Sequence, residues 1–184
     1  MRPQALSTAA VCALLLAGCT AGTVQTYGVS ADTNHALRSL SVKQGIGVSD
    51  FSLSGPIDLT CRAVGPIALP PNTTFPGYIR KAFEDELKLA GMFGAASPKV
   101  TLRGNIHKVD MSSSAKGLFT GYWSIGLTVS SSNGKEVSVN DYYEFESAFN
   151  GVTACSNTAN ALMPAVQSLI NKGVKDPNFI ALLQ

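Results

Sequence analysis

The chain carries little with which to do chemistry. Charged residues make up 14% of its 184 positions, aromatic residues 8%, and histidine occurs twice. Lysine and arginine are scattered and the formal net charge is only +2, so no basic stripe points to nucleic acid. G-x-S-x-G, H-E-x-x-H and the phosphate-cradling Walker loop are all absent. Those absences remove the strongest signatures of serine hydrolases, zinc peptidases and nucleotide-binding enzymes. A spanning helix needs roughly 20 apolar residues, and the N-terminal apolar stretch Ala5–Leu16 has about 12. No similarity at a period of 20–50 residues suggests a repeat architecture.

What is present begins at the N-terminus. One positive residue, Arg2, precedes the apolar stretch, which closes on Leu15-Leu16-Ala17-Gly18-Cys19. An ordinary secretory signal ends in an A-x-A-like site, whereas here two small residues lead directly into a cysteine. This resembles the lipobox of bacterial lipoproteins, in which a peptidase cuts before the cysteine and its thiol takes diacylglycerol. The resemblance implies a signal peptide over 1–18, a mature protein beginning at Cys19, and a membrane tether outside the cytoplasm. Thr20 follows the cysteine. In the sorting pattern of those lipoproteins a residue other than Asp there implies the outer membrane, facing the periplasm, with display at the cell surface as the alternative.

A mature chain of about 166 residues is the usual size of one domain. Cys12 leaves with the signal and Cys19 takes the lipid. Cys61 and Cys155 remain, an even pair in an oxidising compartment, and one disulfide between them is expected. Two buried free thiols are the alternative. Two cysteines without histidines at ligand spacing make a poor metal site, and neither metal nor cofactor is expected.

Residues 19–40 are rich in Thr, Ser, Ala and Gly without a sustained period, and read as a flexible linker from the lipid to a single domain over 41–184. Leu40, Val42, Ile46 and Val48 hint at an extended segment that Gly45 and Gly47 weaken. Ile57–Cys61 alternates as a half-buried strand does. Thr73 or Thr74 caps a helix with Pro76 in its first turn, Ile79, Ala82, Phe83, Leu87 and Ala90 on one face, and Gly91 as a left-handed stop. Glu84-Asp85-Glu86 reads as its solvated side.

Three strands follow. Val100, Leu102 and Ile106 share a face of the first, and Trp123, Ile125, Leu127 and Val129 a face of the second. Asn133-Gly134 is a hairpin turn signal. The third carries Val137, Val139, Tyr143 and Phe145 on one side, and Asp141 interrupts that alternation, so a bulge is expected there. A second helix is expected from Ser156 or Asn157, with Ala159, Leu162, Val166, Leu169 and Ile170 inward; Pro164 must lie in its first turn or kink it. Asp176-Pro177 begins a last short turn that packs Phe179, Leu182 and Leu183 on the domain. The order β-α-β-β-β-α predicts an α+β two-layer sandwich: a four-stranded, mainly antiparallel sheet with two helices on one face.

Few residues invite a functional reading. His107 lies on the polar side of a strand, and Glu144 and Glu146 share the wet face of another; a cleft collecting all three would suit acid–base work. A solvated sheet face is the plainer reading. Asn72-Thr73-Thr74 matches a glycosylation sequon but in this setting reads as a loop and cap. The loop from Ser112 to Gly121 places Leu118 and Phe119 near a mobile tip. They either fold back to plug the core or meet a lipid or a partner protein.

With lipobox, linker and element order together, residues 57–184 resemble in outline small periplasm-facing αβ lipoproteins: the LPS-assembly lipoprotein LptE, the YajG family and the ABC-type transport auxiliary (PqiC-like) lipoproteins. That resemblance implies a non-enzymatic accessory or scaffold in a cell-envelope complex, with an envelope protein as partner and the membrane reached through the anchor. The alternative is a lipid carrier or sensor that holds an acyl chain between helices and sheet.

Overall fold

The computed structural model describes residues 21–40, 42, 45–94 and 96–184. The expected signal peptide, residues 1–18, and the expected lipidation site Cys19 lie outside the described residues. In chain order the elements are β1 (Gly22–Thr23), α1 (Ala31–Ser39), β2 (Ile46–Leu53), β3 (Thr60–Cys61), β4 (Gly65–Ala68), α2 (Phe75–Leu89), β5 (Val100–Ser112), β6 (Thr120–Ser131), β7 (Glu136–Glu146) and α3 (Gly151–Val174). A 3-10 turn, Phe179–Leu183, follows.

The α+β class holds and the helices and main sheet form two layers, but the described residues form three helices and two sheets. The main sheet has the order β2-β5-β6-β7, and the small one β1-β4-β3. β5, β6 and β7 are antiparallel neighbours, whereas β2 lies parallel to β5, across the connection that contains α2. The fourth strand of the main sheet is therefore Ile46–Leu53, and not the Ile57–Cys61 segment, of which only Thr60–Cys61 is a strand and pairs with β4. Gly47 does not weaken β2. A Cβ at that position would come within 2.9 Å of Pro98 Cβ, so glycine is what lets the chain before β5 approach so closely.

Leu102, Ile106, Trp123, Ile125 and Leu127 are buried on the inner face of the sheet, against Ile79, Phe83 and Leu87 of α2 and Leu162, Val166 and Leu169 of α3. Trp123 is anchored twice, stacked on Phe75 with ring centroids 6.2 Å apart and donating from Nε1 to Thr158 O at 2.9 Å. Thr74 caps α2 by accepting from Gly77 N, and Gly91 follows it at φ +76. Phe179, Leu182 and Leu183 close the core from the C-terminal turn.

Four local expectations change. Residues 21–40 are not a flexible linker. They supply β1 and α1, and bury Ala21, Val24, Tyr27, Thr33 and Leu37, so the domain reaches back to Ala21. Glu86 is not solvated: this N-terminal arm lies over it and leaves it fully buried. α3 starts at Gly151, five residues earlier than expected, because Asn150 Oδ1 accepts from Val152 N and Thr153 N, and Pro164 lies inside it. β7 runs without a bulge from Glu136 to Glu146. Asp141 simply keeps its inward place beside Lys172 Nζ at 3.5 Å, and the register shift falls instead at His107, between β5 and β6.

Candidate functional site

One end of the main sheet collects four segments: the β5–β6 hairpin tip, the β7–α3 loop, the first turn of α3, and the turn between β3 and β4. The last of these carries Arg62, a non-glycine residue at φ +49. Its guanidinium donates to Ser113 Oγ at 2.9 Å, Ser113 O at 2.8 Å, Phe149 O at 3.0 Å and Ala148 O at 3.1 Å. A fork of five donors suits this task, because loop carbonyls that no ladder satisfies need partners. Ser147 adds a backbone donation to Phe119 O at 2.8 Å and a hydroxyl donation to Ser113 O. Next to Arg62, the expected disulfide is present: Cys61 and Cys155 are bonded with Cα atoms 5.7 Å apart, joining the small sheet to α3.

The surface these bonds hold up is apolar. Phe149 is 71% exposed, Phe119 67% and Val152 64%, the three most exposed large apolar side chains among the described residues, and Leu118 lies beside them at 42%. Leu118 and Phe119 therefore do not plug the core. The inner side of the hairpin base is already filled, since a Cβ on Gly121 would come within 2.4 Å of the Phe145 ring. The sequence pointed to Leu118 and Phe119 but not to Phe149 or Val152, which join them only because the β7–α3 loop folds over the hairpin base.

Replacing Arg62 with alanine is expected to cost about 1–3 kcal/mol, from several charge-assisted bonds that are partly exposed. At about 2–4 °C per kcal/mol in a chain of this size, a thermal melt reads this as a drop of several degrees. Faster amide exchange at 113–119 and 147–150 accompanies it. Arg62→Lys recovers little of the loss, because a point donor cannot reach all the carbonyls. A melt unchanged to within a degree would remove Arg62 as the organiser of this end.

The acid–base constellation does not assemble. His107 Nε2 faces Asn140 Oδ1 at 3.3 Å and Nδ1 faces Thr128 Oγ1 at 3.5 Å. Glu144 pairs with Lys116 instead, opposite Tyr122 in the ladder, while Asn140 stands opposite Gly126 four residues along. At about 3.4 Å per residue this separates the histidine from Glu144 by more than a proton-transfer distance. The open face of the sheet is polar around a stacked pair, Tyr122 and Tyr142, with ring centroids 4.8 Å apart. Tyr122 donates to Asp110 at 2.7 Å, and this bond pushes its hydroxyl up to about 12. Among the described residues no group of three or more His, Cys, Asp or Glu is placed to hold a metal ion.

Sequence reasoning also missed Glu86. Its Oε1 accepts from Tyr27 Oη at 2.6 Å and from Ser30 N at 2.7 Å, while Oε2 has no partner. Burial raises its carboxyl above the ordinary value, and the two donors offset this only in part. Tyr27 is raised as well, by burial first and then by its bond to Glu86. Nearby, Tyr27, Tyr78, Pro70, Pro71 and Lys81 line a surface cleft of about 280 Å³.

No family model matches the chain, and no curated protein does. Among solved structures, the crystal structure of protein XCC0632 from Xanthomonas campestris, described with the family model DUF330, is similar at a TM-score of 0.52 and 13% sequence identity. The similarity covers 83% of this chain and 92% of that one. At that identity it shows a shared fold and nothing finer.

Proposed function

We propose that this chain is a bacterial envelope lipoprotein, held on the periplasmic face of the outer membrane by lipid on Cys19, that serves as a non-enzymatic accessory or scaffold of a larger envelope complex. The observation that carries this reading is the Cys61–Cys155 disulfide. Disulfides persist in exported proteins and not in ordinary cytosolic ones, and this one occurs in the chain whose N-terminus reads Leu15-Leu16-Ala17-Gly18-Cys19. The scaffold role is supported by the scattering of His107, Glu144 and Glu146, and by an ordered apolar end suited to contact rather than to turnover. The carrier alternative has less support, because Trp123, Phe83, Leu127 and Leu169 fill the space between helices and sheet.

Native mass spectrometry of the full lipoprotein, gently extracted from its own membrane, tests the reading. The expected spectrum has acyl chains on Cys19, a mass two daltons below that of the dithiol, and a co-extracted protein at fixed stoichiometry. A bound lipid with no protein would favour the carrier, and an unmodified Cys19 would overturn the anchor. Replacing residues 1–19 by an ordinary cleavable secretory signal is expected to move the protein from the membrane to the soluble fraction while its melting temperature stays within about 2 °C, since the described core from Ala21 onward is retained.

A further inference from the structure

The direction of the N-terminal arm says what the apolar end faces. β1 runs parallel to β4, Gly22 beside Ile67 and Thr23 beside Ala68. Downstream the arm follows α3: the space at Gly22 is bounded by Cys155 O and Ala159 Cβ, that at Gly28 by Met163 Sδ, and Gln167 Nε2 donates to Gly28 O at 2.7 Å. The arm thus advances in the same sense as α3, and Ala21, its first described residue, is at the arm's end nearer the start of that helix. Ala21 N donates to Pro66 O, and the neighbouring Gly65 pairs with Cys61, next to Arg62. From the level of Cys155–Ala159 back to Gly151 is about 6–12 Å at 1.5 Å per residue. Three residues from Gly22 to Cys19 reach up to about 10 Å. A lipid on Cys19 therefore has the reach to leave the domain level with Gly151 and Val152, beside Phe149 and Phe119.

We infer that this end is a membrane-contact surface: Phe119, Phe149 and Val152, with Leu118 beside them, enter the interfacial layer of the same bilayer that holds the Cys19 lipid. The inference rests on the anchor reading and goes beyond it. Acyl chains fix only where the protein is tethered; side chains entering the interface fix which way it points. Arg62 and the disulfide tie together the segments that bear these side chains, so the contact is preformed. In this pose β5 stands away from the membrane, and at about 3.4 Å per residue its 13 residues carry Val100 and the end of α2 about 40 Å outward. The polar sheet face with Tyr122 and Tyr142 is then left clear of lipid.

The test uses the full lipidated protein in vesicles of phosphatidylethanolamine and phosphatidylglycerol with brominated acyl chains, which quench tryptophan on contact. The native Trp123 is fully buried and serves as a constant background. Phe119→Trp and Phe149→Trp are expected to lose at least half of their added emission. Leu89→Trp, 45% exposed at the opposite end of the sheet, is expected to lose almost none. The acyl mass on Cys19 is read in the same samples. An acylated protein in which all three variants escape quenching, or in which Leu89→Trp is quenched equally, overturns the contact surface and leaves the anchor standing. A protein without acyl chains overturns both, because the geometry then has no bilayer to refer to.

Discussion

A protein with both Cys61 and Cys155 replaced by alanine is expected to unfold roughly 10 °C or more below the native one. The bond spans 94 residues of sequence, and closing so long a loop removes unfolded-state entropy equivalent to about 4–5 kcal/mol. At about 2–4 °C per kcal/mol, that amounts to a shift of roughly 8–20 °C. Part of the effect is local. β3 has two residues and β4 four, and a pairing that small is marginal without support. The disulfide moors it to α3, and Arg62 sits in the turn between them. Losing the bond therefore loosens Arg62 and the apolar end before the main sheet opens. Calorimetry of the native protein with and without reductant, beside Cys61→Ala/Cys155→Ala, checks this. A reduced protein that melts within 2 °C of the oxidised one would show that the link constrains nothing.

The parts of this fold that were legible in sequence are those where one residue after another repeats the same local rule. The inner faces of β5, β6 and β7 keep the two-residue period over most of their length, α2 has its cap, stripe and glycine stop, and Asn133-Gly134 closes a hairpin in which Gly134 has φ +83. The disulfide was legible because the lipobox reading implied an oxidising compartment and left an even pair of cysteines to bond. The rest depends on distant neighbours. α1 reads Ala-Asp-Thr-Asn-His-Ala-Leu-Arg-Ser and buries only Thr33 and Leu37, too few for a helical stripe. β2 was only hinted at, by Ile46 and Val48, because its glycine answers to Pro98, about fifty positions later in the chain. The start of α3 is set by Asn150 and a disulfide rather than by apolar period. Arg62 shows most plainly why the candidate site was only half visible: nothing within its own turn says that its partners are 51 and 87 residues away.

Glu86→Ala is expected to release the N-terminal arm. The substitution leaves Tyr27 Oη and Ser30 N without their acceptor, and two bonds to a buried carboxyl group amount to roughly 3–5 kcal/mol. Ser30 is also the cap of α1, accepting from Thr33 N, so the loss spreads into that helix. Limited proteolysis should cut within 21–40 while β5 and β6 stay protected. Glu86→Gln separates hydrogen bonding from charge, since the amide oxygen still accepts both bonds. Burial raises the folded carboxyl above its ordinary 4.5, so the folded state holds the proton more tightly than the unfolded state does. The resulting contribution to stability is complete below about pH 4.5 and is lost as pH rises through the raised folded value. Glu84, lowered first by its bond to Lys88, acts in the opposite sense, losing its contribution as pH falls, and is common to both proteins. The difference between native and Glu86→Gln denaturation midpoints over a pH series therefore isolates Glu86. The native protein should lose ground to Glu86→Gln as pH rises from 4.5, and parallel profiles would mean that this carboxyl does not titrate with folding. A domain whose apolar end is stapled by Cys61–Cys155 and Arg62 would then have its N-terminal arm fastened by a different group, at the level of α1 and α2.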